Sequence, residues 1–159
     1  MRVLAAAAWP EGADDLVPPP LPGFVASSFS PLAAEAARRC LTRRAGGPVA
    51  GTAVVVVSAL GDLSGAVRVA EAVDGGGGLS PLMFFQAVPN AVAGHVAARW
   101  GLAGPVVSVA DGAAGVEVAA LLVEDGDADE VLLIRVDQAA TAGARDGAEA
   151  VLLSGGEGP

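Results

Sequence analysis

Asp111, His95 and Glu117 are the side chains of this 159-residue chain best suited by type and position to move a proton, and Cys40 is its one thiol. Covalent catalysis needs a thiol, hydroxyl or amine with a base in reach. The chain offers one His, one Cys and no Lys. The turn Asp111-Gly112-Ala113-Ala114-Gly115 leads from a short apolar run into an apolar helix, where a nucleophile would meet a helix N-terminus, yet it holds no thiol or hydroxyl. Asp111 reads first as the cap of that helix and second as an acid or base. His95 reads as a packing or surface residue of the preceding helix before it reads as a catalyst. Cys40 falls with Ala33, Ala36 and Ala37 on the apolar side of SPLAAEAARRCLTRR, which makes it a buried structural thiol. A lone cysteine excludes an internal disulfide and an all-cysteine metal site. The glycines at 75–78 lack the Gly-Lys-Ser/Thr ending of a phosphate loop and read as a flexible connection, so no cofactor and no metal are expected.

The elements that must position these residues are legible from punctuation and periodicity. Residues 2–8 (RVLAAAA) read as a buried strand. Residues 10–29, with Pro18, Pro19 and Pro20 in succession, cannot be helix or central strand and form a long surface connection. Ser30-Pro31 predicts a cap with proline at the first helical position, and a helix to residue 45. The run TAVVVVS at 52–58 is β-branched and uninterrupted, as a strand buried on both faces requires. Helical segments follow at 62–73, 80–86 and 89–101, then a strand at 106–110, a helix at 112–125, and strands at 130–136 and 148–153. The order βαβαβαββ predicts an α/β fold, a mixed, mostly parallel five-stranded sheet covered by helices, in one domain spanning 1–159 with a frayed tail at 154–159. The helix at 112–125 is apolar nearly all round, with Glu117 its one polar residue before Glu124. One sheet cannot bury both sides of such a helix, so something else must cover it.

Composition narrows the function classes. Half the residues are apolar and the net charge is −9, which argues against nucleic acid because phosphate binding needs clustered cations. The one basic cluster, Arg38, Arg39, Arg43 and Arg44, reads as a solvated helix face. All nine basic residues are Arg, a mark of GC-rich coding, so Ala- and Gly-rich stretches carry little functional signal. No apolar stretch reaches the ~20 residues needed to span a bilayer, and the start of the chain lacks the pattern of a secretory signal. A cytoplasmic protein without membrane or nucleic-acid partners is the expectation.

Several short motifs then converge. They are Ser80-Pro81-Leu82-Met83-Phe84-Phe85, Pro89-Asn90 with Ala93-Gly94, Gly101-Leu102-Ala103-Gly104-Pro105, and the acidic turn Glu124-Asp125-Gly126-Asp127-Ala128-Asp129. In this order and spacing the chain resembles the N-terminal half of β-ketoacyl synthases, over nearly its whole length. The resemblance implies a thiolase-like half-domain, whose apolar helix is normally held between two sheets. Ketosynthases carry a nucleophilic Cys at the start of that helix, with two His and a Lys from a C-terminal half that these 159 residues do not include. Gly112 or Ala113 occupies the nucleophile position here, according to which flanking motif sets the count. The stretch 109–117 is closer to chain-length factors, the non-condensing partners of ketosynthases, which commonly carry Gln-Ala-Gly-Gly-Leu-Asp there. This chain has Gly112 in place of their Gln. It also resembles stand-alone ketosynthase-like N-terminal domains of polyene and aromatic polyketide gene clusters.

The resemblance implies a pseudoenzyme of type II polyketide or fatty-acyl biosynthesis that acts by association, as a homodimer or as a heteromer with a ketosynthase subunit. Phe84, Phe85, Asn90, Val116, Leu121 and Leu122 are the interface candidates. Two alternatives stay open. One is a repurposed isomerase- or dehydratase-like enzyme on a carrier-bound chain, using Asp111, His95 or Glu117. The other is an acyl-carrier-protein-binding module using the Arg38/Arg39/Arg43/Arg44 helix, opposed by the like charge of acidic carrier proteins.

Overall fold

The computed structural model describes residues 1–156; the tail residues 157–159 lie outside the described residues. Ten elements follow in order: β1 (Arg2–Trp9), α1 (Phe29–Arg43), β2 (Thr52–Val57), α2 (Leu63–Asp74), α3 (Pro81–Ala87), α4 (Pro89–Trp100), β3 (Val106–Val109), α5 (Gly112–Glu124), β4 (Glu130–Asp137) and β5 (Gly147–Ser154). The strands form one sheet in the order β1-β5-β4-β2-β3. β2 runs parallel to β3 and β4, whereas β5 is antiparallel to both β4 and β1. Four strands therefore share one direction and β5 opposes them, which is the mixed, mostly parallel α/β sheet expected from the element order.

Each face of the sheet has its own core. Val54, Val56, Leu132, Ile134, Val136, Ala150 and Leu152 point to the side covered by α1 and α4. Ala53, Val55, Val57, Val131 and Leu153 point to the side covered by α5. Every residue of β2 is buried, because the strand is central and helices lie on both faces. No helix among the described residues is long and apolar enough to cross a membrane.

Four local readings are corrected. β1 is an edge strand with Arg2, Val3 and Ala6 exposed, not a buried strand, since one neighbour and one covering helix protect only part of it. α1 starts at Phe29, behind Ser28, so Pro31 sits two residues further into the first turn than predicted. A first-turn N–H has no intrahelical partner, so proline there removes no hydrogen bond, and the earlier start buries the Phe29 ring. α1 also ends at Arg43, two residues short of the reading. Ser154, read as the first residue of a frayed tail, is the last residue of β5 and pairs with Arg2 and Glu130.

Residues 10–28 contain no helix or strand, as their prolines require. The connection is nonetheless fastened at both ends. Near its start, Asp15 accepts two 2.7 Å hydrogen bonds from Arg39. At its end, Ser27 Oγ donates to Asp62 Oδ1 at 2.5 Å and Ser28 Oγ donates to Asp146 Oδ2 at 2.7 Å. Gln138 Nε2 lies 2.8–3.0 Å from the hydroxyls of Ser27, Ser28 and Ser64, which draws α2 and the end of β4 into the same polar cluster.

Candidate functional site

The position that matters most to chemistry is the passage from β3 into α5. Asp111 is extended, and its Oδ1 accepts from the amides of Ala113 and Ala114 at 2.9 and 3.0 Å. That is the helix-capping role, and it engages the carboxylate with two otherwise orphan donors. Gly112 opens α5; a Cβ placed there would meet nothing within 4 Å. The site at the helix mouth is therefore open to solvent and carries no thiol, hydroxyl or amine at 112 or 113.

The three candidate proton carriers are not brought together. Glu117 is exposed on α5, while His95 is half-buried on α4, the helix that covers the opposite face of the sheet. The His95 ring meets Phe24 edge to face, with centroids 5.6 Å apart. It borders an open apolar cleft of about 500 Å³ lined by Phe24, Phe85, Val88, Asn90 and Gly94 among others. Packing against an aromatic explains this histidine without a proton-transfer role.

α5 lies on its sheet through small residues. Gly115 and Ala119 are buried, and Val118, Leu122 and Val123 pack partly against Val55, Val131 and their neighbours. On the outer side Val116 is 50% and Leu121 54% exposed. The interface candidates thus divide. Phe84, Phe85, Val116 and Leu121 point outward, whereas Leu122 serves the contact with the sheet. Asn90 is exposed and its Oδ1 accepts from Ser108 Oγ, which ties the start of α4 to β3.

β3 is an edge with open backbone groups. Val54 pairs with Val106 and Val56 with Ser108, while Pro105 and Val109 carbonyls accept from Val54 and Ser58 amides. The alternation turns the N–H and C=O of Val106 and Ser108 away from β2, toward the free side of the sheet.

The arginine helix is in part the solvated face expected, with Arg38 and Arg43 about half exposed, but its cations are also paired within the chain. Arg39 Nη2 sits 2.7 Å from Asp15, and Arg39 Nε sits 2.8 Å from the buried carboxylate of Glu35. Arg38 meets the same Glu35 at 2.7 Å, Arg43 meets Glu11 at 2.6 Å and Arg44 meets Glu130 at 2.5 Å. All four cations are engaged within the chain. Glu35 at three and four residues before Arg38 and Arg39 was a readable signal; Glu11, Asp15 and Glu130 were not, being distant in sequence.

With this geometry in place, the comparisons are specific. The family of β-ketoacyl synthase N-terminal domains matches residues 9–143, so the chain belongs to that family. No curated protein matches the chain. Among solved structures it is similar to a ketosynthase of Xenorhabdus doucetiae in complex with its chain length factor, at 24% identity and a TM-score of 0.69, covering 82% of this chain and 58% of that one. It is also similar to the ishigamide ketosynthase/chain length factor, at 20% identity and a TM-score of 0.72, covering 87% and 47%. A third is a type II polyketide acyl-carrier protein in complex with its ketosynthase, at 13% identity and a TM-score of 0.72, covering 96% and 61%. These likenesses establish the ketosynthase-like, thiolase-type fold. The chain spans about half to three-fifths of the length of these three solved chains.

Proposed function

We propose that this chain is a non-catalytic, chain-length-factor-like ketosynthase homologue that works by association with a partner in type II polyketide or fatty-acyl biosynthesis. The observation that carries the proposal is α5. Its mouth holds Gly112 and Ala113, one or other of which stands where the resemblance to ketosynthases places a nucleophile, and its outer side presents Val116 and Leu121 to solvent. Apolar side chains exposed on a helix that is apolar nearly all round support an interface there. Leu82, Phe84, Phe85 and Val88 add a second exposed apolar group around α3. The partner is a ketosynthase subunit or a second copy of the chain.

The two other readings have less support. Asp111 is engaged in capping, and His95 lies across the sheet from Glu117, so no acid–base pair is assembled. The arginines that a carrier protein would need are already paired with Glu11, Asp15, Glu35 and Glu130.

The test is co-purification with candidate ketosynthase subunits and light scattering of the chain alone, repeated with Val116→Glu/Leu121→Glu. Association that the double variant abolishes, with folding intact, supports the proposal. A chain that stays monomeric alone and in every mixture defeats it.

A further inference from the structure

The two edges of the sheet are treated differently. The outward N–H and C=O groups of β3 are open, but most of those at Ala6 and Ala8 in β1 are occupied by side chains. Their bonds to side chains outside the sheet place the backbone groups of Ala6 and Ala8 on the outer side of β1. Arg43 Nη1 donates to Ala6 O at 2.9 Å, and Arg39 Nη1 donates to Ala8 O at 3.3 Å. The Ala8 amide donates to Glu11 Oε1 at 2.8 Å. The same groups are held in place by one another: Arg43 grips Glu11 through two bonds of 2.7 and 2.6 Å, and Arg39 grips Asp15 through two of 2.7 Å. Three of the four outward groups of Ala6 and Ala8 thus have a partner from α1 or from the turn after β1.

An unoccupied edge of this kind is a template for another strand, and the same edge of a second copy is a partner present at the chain's own concentration. We propose that the Arg39–Arg43–Glu11 cluster is a built-in clasp that closes the β1 edge against pairing with β1 of a second copy. Arginine suits the task because its planar fork can hold a carboxylate with two donors and still offer an N–H to a carbonyl. The clasp covers β1 at Ala6 and Ala8 and leaves β3 as the more open edge of the sheet, so growth of the sheet in both directions into an open-ended chain is opposed at β1.

The test uses Glu11→Ala/Arg43→Met. Both residues are near the surface, the Arg39–Asp15 and Arg39–Glu35 pairs stay in place, and the net charge is unchanged because one charge of each sign is lost. The substitution frees Ala6 O and the Ala8 amide. Light scattering across a concentration series is expected to show mass well above that of the wild type at equal concentration, at least doubling as copies pair. Adding Ala6→Pro, which removes an outward N–H and is tolerated on an edge strand, should return the mass to the wild-type value. Wild-type mass for the folded double variant overturns the proposal, and so does association that Ala6→Pro leaves intact. Hydrogen exchange on the wild type gives a second reading that needs no variant: the Ala8 amide should exchange more slowly than the Ala6 amide, and equal rates overturn the proposal.

Discussion

Gly115 on α5 and Val57 on β2 stand so close that a Cβ on the glycine would lie 2.5 Å from Val57 Cγ2 and 3.3 Å from Leu133 Cδ1. The helix is seated on the sheet at this point because one residue in its second turn has no side chain. The seating sets where Gly112 opens and which side of α5 Val116 and Leu121 present.

Gly115→Val is therefore expected to destabilise the fold more than helix propensity would repay. Replacing a helical glycine by alanine gains about 1 kcal/mol at an exposed site, but overpacking a tight interior costs about 1–3 kcal/mol. Val57 is β-branched on a strand with no exposed residue, so it has little room to yield. Gly115→Ala should lie between wild type and Gly115→Val in a denaturant titration. Equal midpoints for all three would show that α5 is free to lift from the sheet.

Asp111→Ala separates capping from chemistry. Loss of the two bonds to Ala113 and Ala114 should cost about 1 kcal/mol, within the usual range for a cap. Product formation in a reconstituted pathway should persist once the variant is supplied in excess to offset its lower stability. Product abolished with the complex still assembled would assign Asp111 a chemical role.

Much of this was readable in the sequence, for identifiable reasons. β2 announced itself through TAVVVV, and α5 through an apolar composition that no single sheet could cover. The capping role of Asp111 followed from its place before an apolar run. What escaped were relationships between distant residues. Arg39 and Asp15 are far apart in the chain, and two of the partners of the charge cluster, Glu11 and Asp15, lie within a proline-rich connection that gives no periodic signal. Ser28 replaced Ser30 at the start of α1 because burying Phe29 settled a choice that local capping chemistry left open. The polar cluster around Gln138 joins residues from four separate segments, which no local pattern foretells.

Cys40 should be inert in the folded chain. It is fully buried on α1 among core alanines and leucines, and burial pushes its thiol up to about 11. Thiolate is the reactive form, so alkylation at neutral pH should proceed only as fast as the chain unfolds. Adding denaturant should restore the rate of a free thiol. Rapid labelling in native buffer would mean that α1 opens locally.

The ion pairs of α1 give stability an acid limb with a defined sign. The Arg43 guanidinium hydrogen-bonded to Glu11, helped by the Ala8 amide, holds this carboxyl at about 2 instead of its ordinary 4.5. Arg38 and then Arg39 likewise lower Glu35, against the opposing effect of its burial, and Arg39 lowers Asp15. A carboxyl depressed by folding contributes stability in full above its unfolded value, and the contribution is lost as pH falls through its folded value. The melting temperature should accordingly hold steady above about pH 4.5 and decline from there toward about 2, the interval set by Glu11. Glu35→Gln should begin lower at neutral pH, because Arg38 and Arg39 lose the buried negative charge and one of the two acceptor oxygens they share, and should decline less steeply in acid. Glu11→Gln should flatten the same limb while keeping an acceptor for the Ala8 amide. Melting curves of the three proteins that run parallel across the acid range would mean that these pairs persist in the unfolded chain or contribute nothing to the difference between the two states.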